Sequence, residues 1–138
     1  MRNIPYTLVP LIIFNIVMLA AWEGIWTDPI FTLPLFTGEE WTMTVGDLMV
    51  VIGLLSLLGE VFRSATMART AVTNHLISII VLIIFVIEFV VAPGAGNSTF
   101  FILTIIALID VLAGVVITIR LASRDFTVDD VHDPRIPH

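Results

Sequence analysis

The sequence predicts an all-α integral membrane protein, a four-helix bundle with an extracytoplasmic interfacial segment between its first two helices. Three observations predict it. Hydrophobic residues make up 58% of the 138 positions and charged residues only 13%, with a mean hydropathy of +1.06, far from the roughly one-quarter charged composition of soluble domains. Four apolar runs approach the about 20 residues that a bilayer crossing requires. The arginines flanking these runs all fall at one set of ends.

The first run, from Tyr6 to Trp22, follows Arg2. A signal peptide would need small residues one and three positions before its cleavage point, and Leu19-Ala20-Ala21-Trp22 does not supply them, so the run is expected to be a retained helix over about 6–22. Pro5 and Pro10 fall in or near its first turns, where amide hydrogens have no helical partner. From Glu23 to Thr42, Trp26, Phe31, Phe36 and Trp41 mix with Pro29, Pro34, Asp28, Glu39 and Glu40. Such a segment should lie along the membrane surface, because tryptophan favours the headgroup level and proline interrupts helices.

The remaining spans are expected at about 44–62, 74–92 and 99–121. Thr44 and Asp47 have the spacing of a capping box. Asn74 and either Ser98 or Thr99 are suitable N-caps, and Pro93-Gly94-Ala95-Gly96 should end the third helix and turn the chain into the fourth. Residues 122–138, with Asp125, Asp129, Asp130 and Asp133, read as an acidic solvated tail. The whole chain forms one transmembrane domain.

Positively charged residues are retained on the cytoplasmic side. Arg2, Arg63, Arg69, Arg120 and Arg124 lie at one set of ends, and the opposite connections, 23–42 and 93–98, hold no basic residue. Both termini are therefore expected in the cytoplasm, with the chain in the plasma (inner) membrane.

Composition excludes several functions. Six arginines and no lysine against twelve acids give a net charge of -6, which argues against nucleic-acid binding. Without cysteine there is no disulfide, thiolate metal site or thiol nucleophile, and without lysine there is no retinal linkage. His75, His132 and His138 do not share a helix face at ligand spacing, so neither a metal site nor bis-histidine haem is expected. No nucleotide-binding glycine loop, nucleophile elbow or zinc-protease motif is present. Asn97-Ser98-Thr99 matches a glycosylation acceptor but reads better as a helix cap.

What remains is a set of polar residues inside the spans, where a charged side chain costs several kcal/mol unless paired, hydrated or protonated. Asp110 lies about 11 residues into the fourth span, near its middle, on a face with Ala107, Ala113, Gly114 and Thr118. Glu88 shares a stripe with Asn74, Ser78 and Ala92. Glu60 stands three residues before Arg63, as an interfacial ion pair would. Asp47 reads as the capping-box acid and Asn15 as interhelical hydrogen-bonding glue. Gly46, Gly53, Ser56, Ala107 and Gly114 offer small-residue packing faces. The acids form a series in depth: Asp47 and Glu88 outward, Asp110 central, Glu60 inward.

Two functions fit these residues. The first, which the residues favour, is a non-catalytic membrane subunit whose buried acids and small faces dock on other membrane-protein subunits or on a second copy. The other is a small proton- or cation-coupled transporter or channel using Asp110 and Glu88. An enzyme is not expected, because no nucleophile has a base beside it and Asp47 and Asp110 lie too far apart in depth to share a proton. No cofactor is implied, and lipid is the expected surroundings.

Overall fold

A computed structural model describes residues 4–21, 23–66 and 71–129. Arg2, Trp22, Arg69, Asp130, His132, Asp133 and His138 lie outside the described residues, as do the side chains of Asp125 and Asp129. Four helices carry most of the chain: α1 (Leu8–Ala20), α2 (Val45–Thr66), α3 (Ala71–Val91) and α4 (Ser98–Asp129). Among them α2, α3 and α4 are long and apolar enough to cross a membrane.

The first helix is shorter than the expected 6–22. Its 13 residues rise about 20 Å, against a hydrocarbon layer of about 30 Å. Residues before Leu8 form a turn, with the Leu8 amide donating to Pro5 O at 3.1 Å and the Val9 amide to Tyr6 O at 3.0 Å. At the far end Ala21 is extended, with φ -127° and ψ 177°, and the chain enters a 3-10 turn over Glu23–Thr27. The path nevertheless follows α2 closely. A Cβ at Gly59 would meet the Tyr6 ring at 3.0 Å, and one at Gly46 would meet Trp26 O at 2.8 Å. These two glycines stand about 20 Å apart along α2.

The connection to α2 corrects the all-α expectation. Instead of an irregular interfacial stretch it forms an antiparallel hairpin, β1 (Pro29–Pro34) with β2 (Glu40–Thr44), closed by a turn in which Gly38 takes φ 84°, a left-handed conformation that glycine adopts without steric cost. Its two short runs, Ile30-Phe31-Thr32-Leu33 and Trp41-Thr42-Met43-Thr44, are rich in aromatic and β-branched residues that suit strands, and the prolines stand at the ends of β1, where strands tolerate them. Register places Phe31 opposite Met43, Thr32 opposite Thr42 and Leu33 opposite Trp41. One face is therefore apolar, with Phe31 edge-on to Trp41 at 5.9 Å. The other carries the Thr32–Thr42 hydroxyl pair at 2.9 Å.

Helix ends follow local chemistry. Thr44 and Asp47 make a reciprocal capping box: the Thr44 amide donates to Asp47 Oδ2 at 2.9 Å and the Asp47 amide to Thr44 Oγ1 at 3.2 Å. Asn97, rather than Ser98 or Thr99, caps α4, its Oδ1 accepting from the Phe100 amide at 2.9 Å while its Nδ2 donates to Gly94 O. Asn74 is no cap either, since α3 already begins at Ala71. The last helix continues to Asp129, past the expected end near Leu121.

Both α2 and α3 pack mainly on α4. Their shared core is aromatic toward the hairpin end, where Phe14 stacks flat on Trp26 at 4.3 Å and touches Phe100 at 4.5 Å, which in turn meets Phe85 at 5.3 Å. Leu11, Met49, Val81, Leu103, Ile106 and Ala107 complete it. Aliphatic side chains such as Leu55, Ile80, Val90 and Leu112 point outward.

The expected small faces of α2 and α4 are occupied within the chain. A Cβ at Gly53 would meet Leu103 Cδ2 at 2.7 Å, whereas one at Gly46 would meet Thr99 Oγ1 at 2.5 Å as well as the Trp26 carbonyl. A leucine tip can rotate away, but a backbone carbonyl cannot. Gly46→Ala is therefore expected to destabilise by about 1–3 kcal/mol, the usual cost of overpacking, and by more than Gly53→Ala. Reversible unfolding of the two variants in mixed micelles checks the order. Ser56 is partly buried on the same helix.

Candidate functional site

Near the Arg63-bearing end, the starts of α1 and α3 meet α2 and α4 around two carboxylates. Glu60 is 2% exposed and Asp110 5%. Each acid accepts from α3 and from the residues that begin α1. Glu60 Oε1 accepts from Asn74 Nδ2 at 2.6 Å, and its Oε2 from the Tyr6 amide at 2.8 Å. Asp110 Oδ2 accepts from Thr7 Oγ1 at 3.0 Å, and Ser78 hydrogen-bonds the same carboxyl group. Asn74 and Ser78 are four residues apart, hence one above the other on one face of α3. Tyr6 and Thr7 are neighbours, so the two acids occupy adjacent rungs of one ladder.

Thr7 also reveals a trade. It occupies the N-cap position of α1, yet its side chain makes no capping bond, because the hydroxyl is turned to Asp110. A local preference for capping, about 1 kcal/mol, is given up to satisfy a buried carboxyl. Such violations concentrate at functional sites.

Arg63 supplies the positive charge. Its Nη2 donates to Glu60 Oε1 at 2.7 Å, its Nη1 to Ile4 O at 2.8 Å, and the guanidinium lies 4.6 Å from the centre of the Tyr6 ring. The expected ion pair is thus present, and Glu60 is enclosed because the turn at residues 4–7 folds over it. One arginine faces two acids here.

A cavity of about 10 Å³ opens beside them, lined by Glu60, Ser64, Asn74, His75, Ser78 and Asp110 with Gly114 and Ile117. That is room for about one water molecule with several polar partners. Among the described residues two buried side-chain nitrogens are without a hydrogen-bond partner, Arg63 Nε and His75 Nδ1. His75 can approach because α4 has no side chain at Gly114, where a Cβ would stand 2.6 Å from Nδ1.

Glu88 and Asn15 form a separate pair toward the hairpin end, with Asn15 Nδ2 donating to Glu88 Oε2 at 2.9 Å and to Leu11 O at 3.0 Å. Between this pair and the Asp110 ladder lie Leu11 and Phe14 on α1, Val81 and Phe85 on α3, and Leu103 and Ile106 on α4, all buried. Apolar packing seals the ladder on that side. Asp47 is exposed and engaged with Thr44, away from both groups.

The depth series of four acids therefore resolves into one pair that converges, Asp110 with Glu60, and two acids that stand apart. Thr7, the Tyr6 amide and His75 complete the site; sequence reasoning passed over the first two and weighed His75 only as a metal or haem ligand. Thr7 was visible as a hydroxyl opening an apolar run, and His75 as the neighbour of Asn74 on the polar face of α3. Among the described residues no group of three or more His, Asp or Glu side chains is placed to hold a metal ion. Comparison with protein-family models, with curated proteins and with solved structures gives no match for this chain, so the site is read from its own geometry.

Proposed function

We propose that this chain is a multi-pass integral membrane protein of the plasma membrane, non-catalytic, whose enclosed acid pair binds and releases a proton or a small monovalent cation from the arginine-bearing side, taken as cytoplasmic. The observation carrying this reading is the water-sized polar cavity against Asp110 and Glu60, with Arg63 bonded to Glu60 and not to Asp110. An ionisable group buried in a membrane span belongs at a proton or ion site by default. Lipid surrounds the aliphatic exterior of α2, α3 and α4, and α1 fills the groove beside α2. The seal of phenylalanine and leucine makes access one-sided in this conformation, so passage across the bilayer would need the seal to part, with Asn15 and Glu88 as the station beyond it.

The subunit reading is second. Its basis in unpaired acids and free small faces is weakened, because Asp110 and Glu88 find hydrogen-bond partners within the chain and Gly46, Gly53 and Gly114 are already filled by it. What favours it is the exposed apolar face of the hairpin, including Phe31, Leu33 and Trp41, which another membrane subunit or a second copy could cover.

Liposomes separate the two. Reconstituted protein is expected to dissipate an imposed proton or sodium gradient, and Asp110→Asn to lower the rate at least tenfold. Absence of flux for every cation in a broad panel, together with a partner recovered from native membranes, would replace this reading with the second.

A further inference from the structure

We infer that His75 is the proton-exchange residue of this site: one water in the cavity links its Nδ1 to the Asp110 carboxyl, and Gly114 is the notch that lets the ring reach that water. The inference rests on the reading of Asp110 as a proton site and assigns the route by which that proton enters and leaves.

Three observations converge on it. Nδ1 of His75 is buried without a partner, and a buried polar atom left unpaired costs about 1–3 kcal/mol, so a water in the adjoining cavity relieves that cost. The cavity holds about one water and is lined by His75 together with Asp110, Glu60, Asn74 and Ser78, which supply the two to four polar partners that a trapped water needs. The third observation is Gly114. Any side chain there would strike Nδ1, at 2.6 Å, so the bare backbone is a condition for the ring's position.

The alternatives along each element are few. On α2, Glu60 is committed to Arg63, Asn74 and Tyr6, and the Arg63 guanidinium does not exchange protons at ordinary pH. On α4 the cavity offers only Asp110 as a titratable group, and on α3 only His75. From the start of α1, Thr7 and the Tyr6 amide occupy the acids' other faces. An imidazole ring can accept a proton at one nitrogen and release one from the other, which suits it to pass protons to bulk water. In the transfer the Asp110 O–H bond breaks as the water accepts that proton, and a different O–H of the same water breaks as Nδ1 accepts its proton. The products are a carboxylate, an imidazolium and an unchanged water. Glu60 and Arg63 remain a neutral pair throughout.

Infrared spectroscopy of the full chain in lipid nanodiscs tests this. The carbonyl stretch of the protonated Asp110, identified by its loss in Asp110→Asn, shifts when the sample is moved from H2O to D2O, and the rate of that shift measures proton exchange. His75→Phe is expected to keep the band and slow its shift at least tenfold. Gly114→Ala keeps both titratable residues but displaces the ring, and is expected to slow the shift similarly while altering the nitrogen chemical shift of His75 Nδ1. Exchange at the wild-type rate in His75→Phe would overturn the inference. If that variant does not fold, an unchanged rate in Gly114→Ala with a displaced ring does the same. A spectrum with no band lost in Asp110→Asn would instead remove the parent reading, so the two failures are distinct.

Discussion

Glu60→Ala is expected to be the most damaging single substitution at the site, destabilising the protein by about 3–5 kcal/mol, because removing one partner of a buried ion pair leaves the other uncompensated. Glu60 is the hub on which three donors converge: the Arg63 guanidinium, Asn74 Nδ2 and the Tyr6 amide. Without it Arg63 keeps only Ile4 O and the Tyr6 ring, and the start of α1 loses its tie to α2. The control is the double variant Glu60→Met with Arg63→Met. Replacing both charges of a buried pair with apolar groups is often neutral or stabilising, so the double variant is expected to recover part of the loss in mixed micelles, the remainder being the Asn74 and Tyr6 donors left without their acceptor. A double variant as unstable as the single one would show that the amide and asparagine bonds, not the ion pair, hold this end together.

The same geometry explains which parts of the protein were legible in the sequence. Three long apolar helices could be read from run length, because an 18-residue window with a mean hydropathy of 2.8 inside Ser98–Arg124 has few other stable arrangements. The capping box at Thr44 and Asp47 was legible because both partners lie within one turn. Polar positions on α3 were legible as a stripe, but not their division of labour: Asn74 and Ser78 serve the inner ladder and Glu88 reaches Asn15. That division depends on the height at which α1 starts, which no local pattern encodes. Glu60 and Asp110 were assigned to different depths by counting along separate helices, whereas their partners, Tyr6 and Thr7, are adjacent. The hairpin was missed because tryptophans and prolines were weighed as interfacial and helix-breaking residues, while the alternation that puts Phe31, Leu33, Trp41 and Met43 on one face was not.

Phe100→Ala is expected to have the second large effect, and on two properties at once. The ring is fully buried and is the common contact of Phe14, Phe85 and Phe89 at centroid distances of 4.5, 5.3 and 6.5 Å. Truncating such a residue typically costs about 3–5 kcal/mol. Where lipid is the solvent the transfer part of that cost is small, since acyl chains are as apolar as the core, but the lost dispersion contacts and the cavity remain, so a value near the lower end is expected from reversible unfolding. The second effect concerns access. Phe100 packs against Phe14 and Phe85, which belong to the layer separating the Asp110 ladder from the Asn15–Glu88 pair, and a hole behind them would loosen the barrier between two polar groups that are now isolated. In vesicles with D2O added only on the hairpin side, deuteration of the Asp110 carboxyl should be slow in the wild type and at least tenfold faster in Phe100→Ala. An unchanged rate combined with a loss of stability would mean that the aromatic cluster holds the helices together without acting as the barrier. A cost well under 1 kcal/mol would mean that the neighbouring rings collapse to fill the hole, and that closure on this side relies on Leu11 and Leu103 instead.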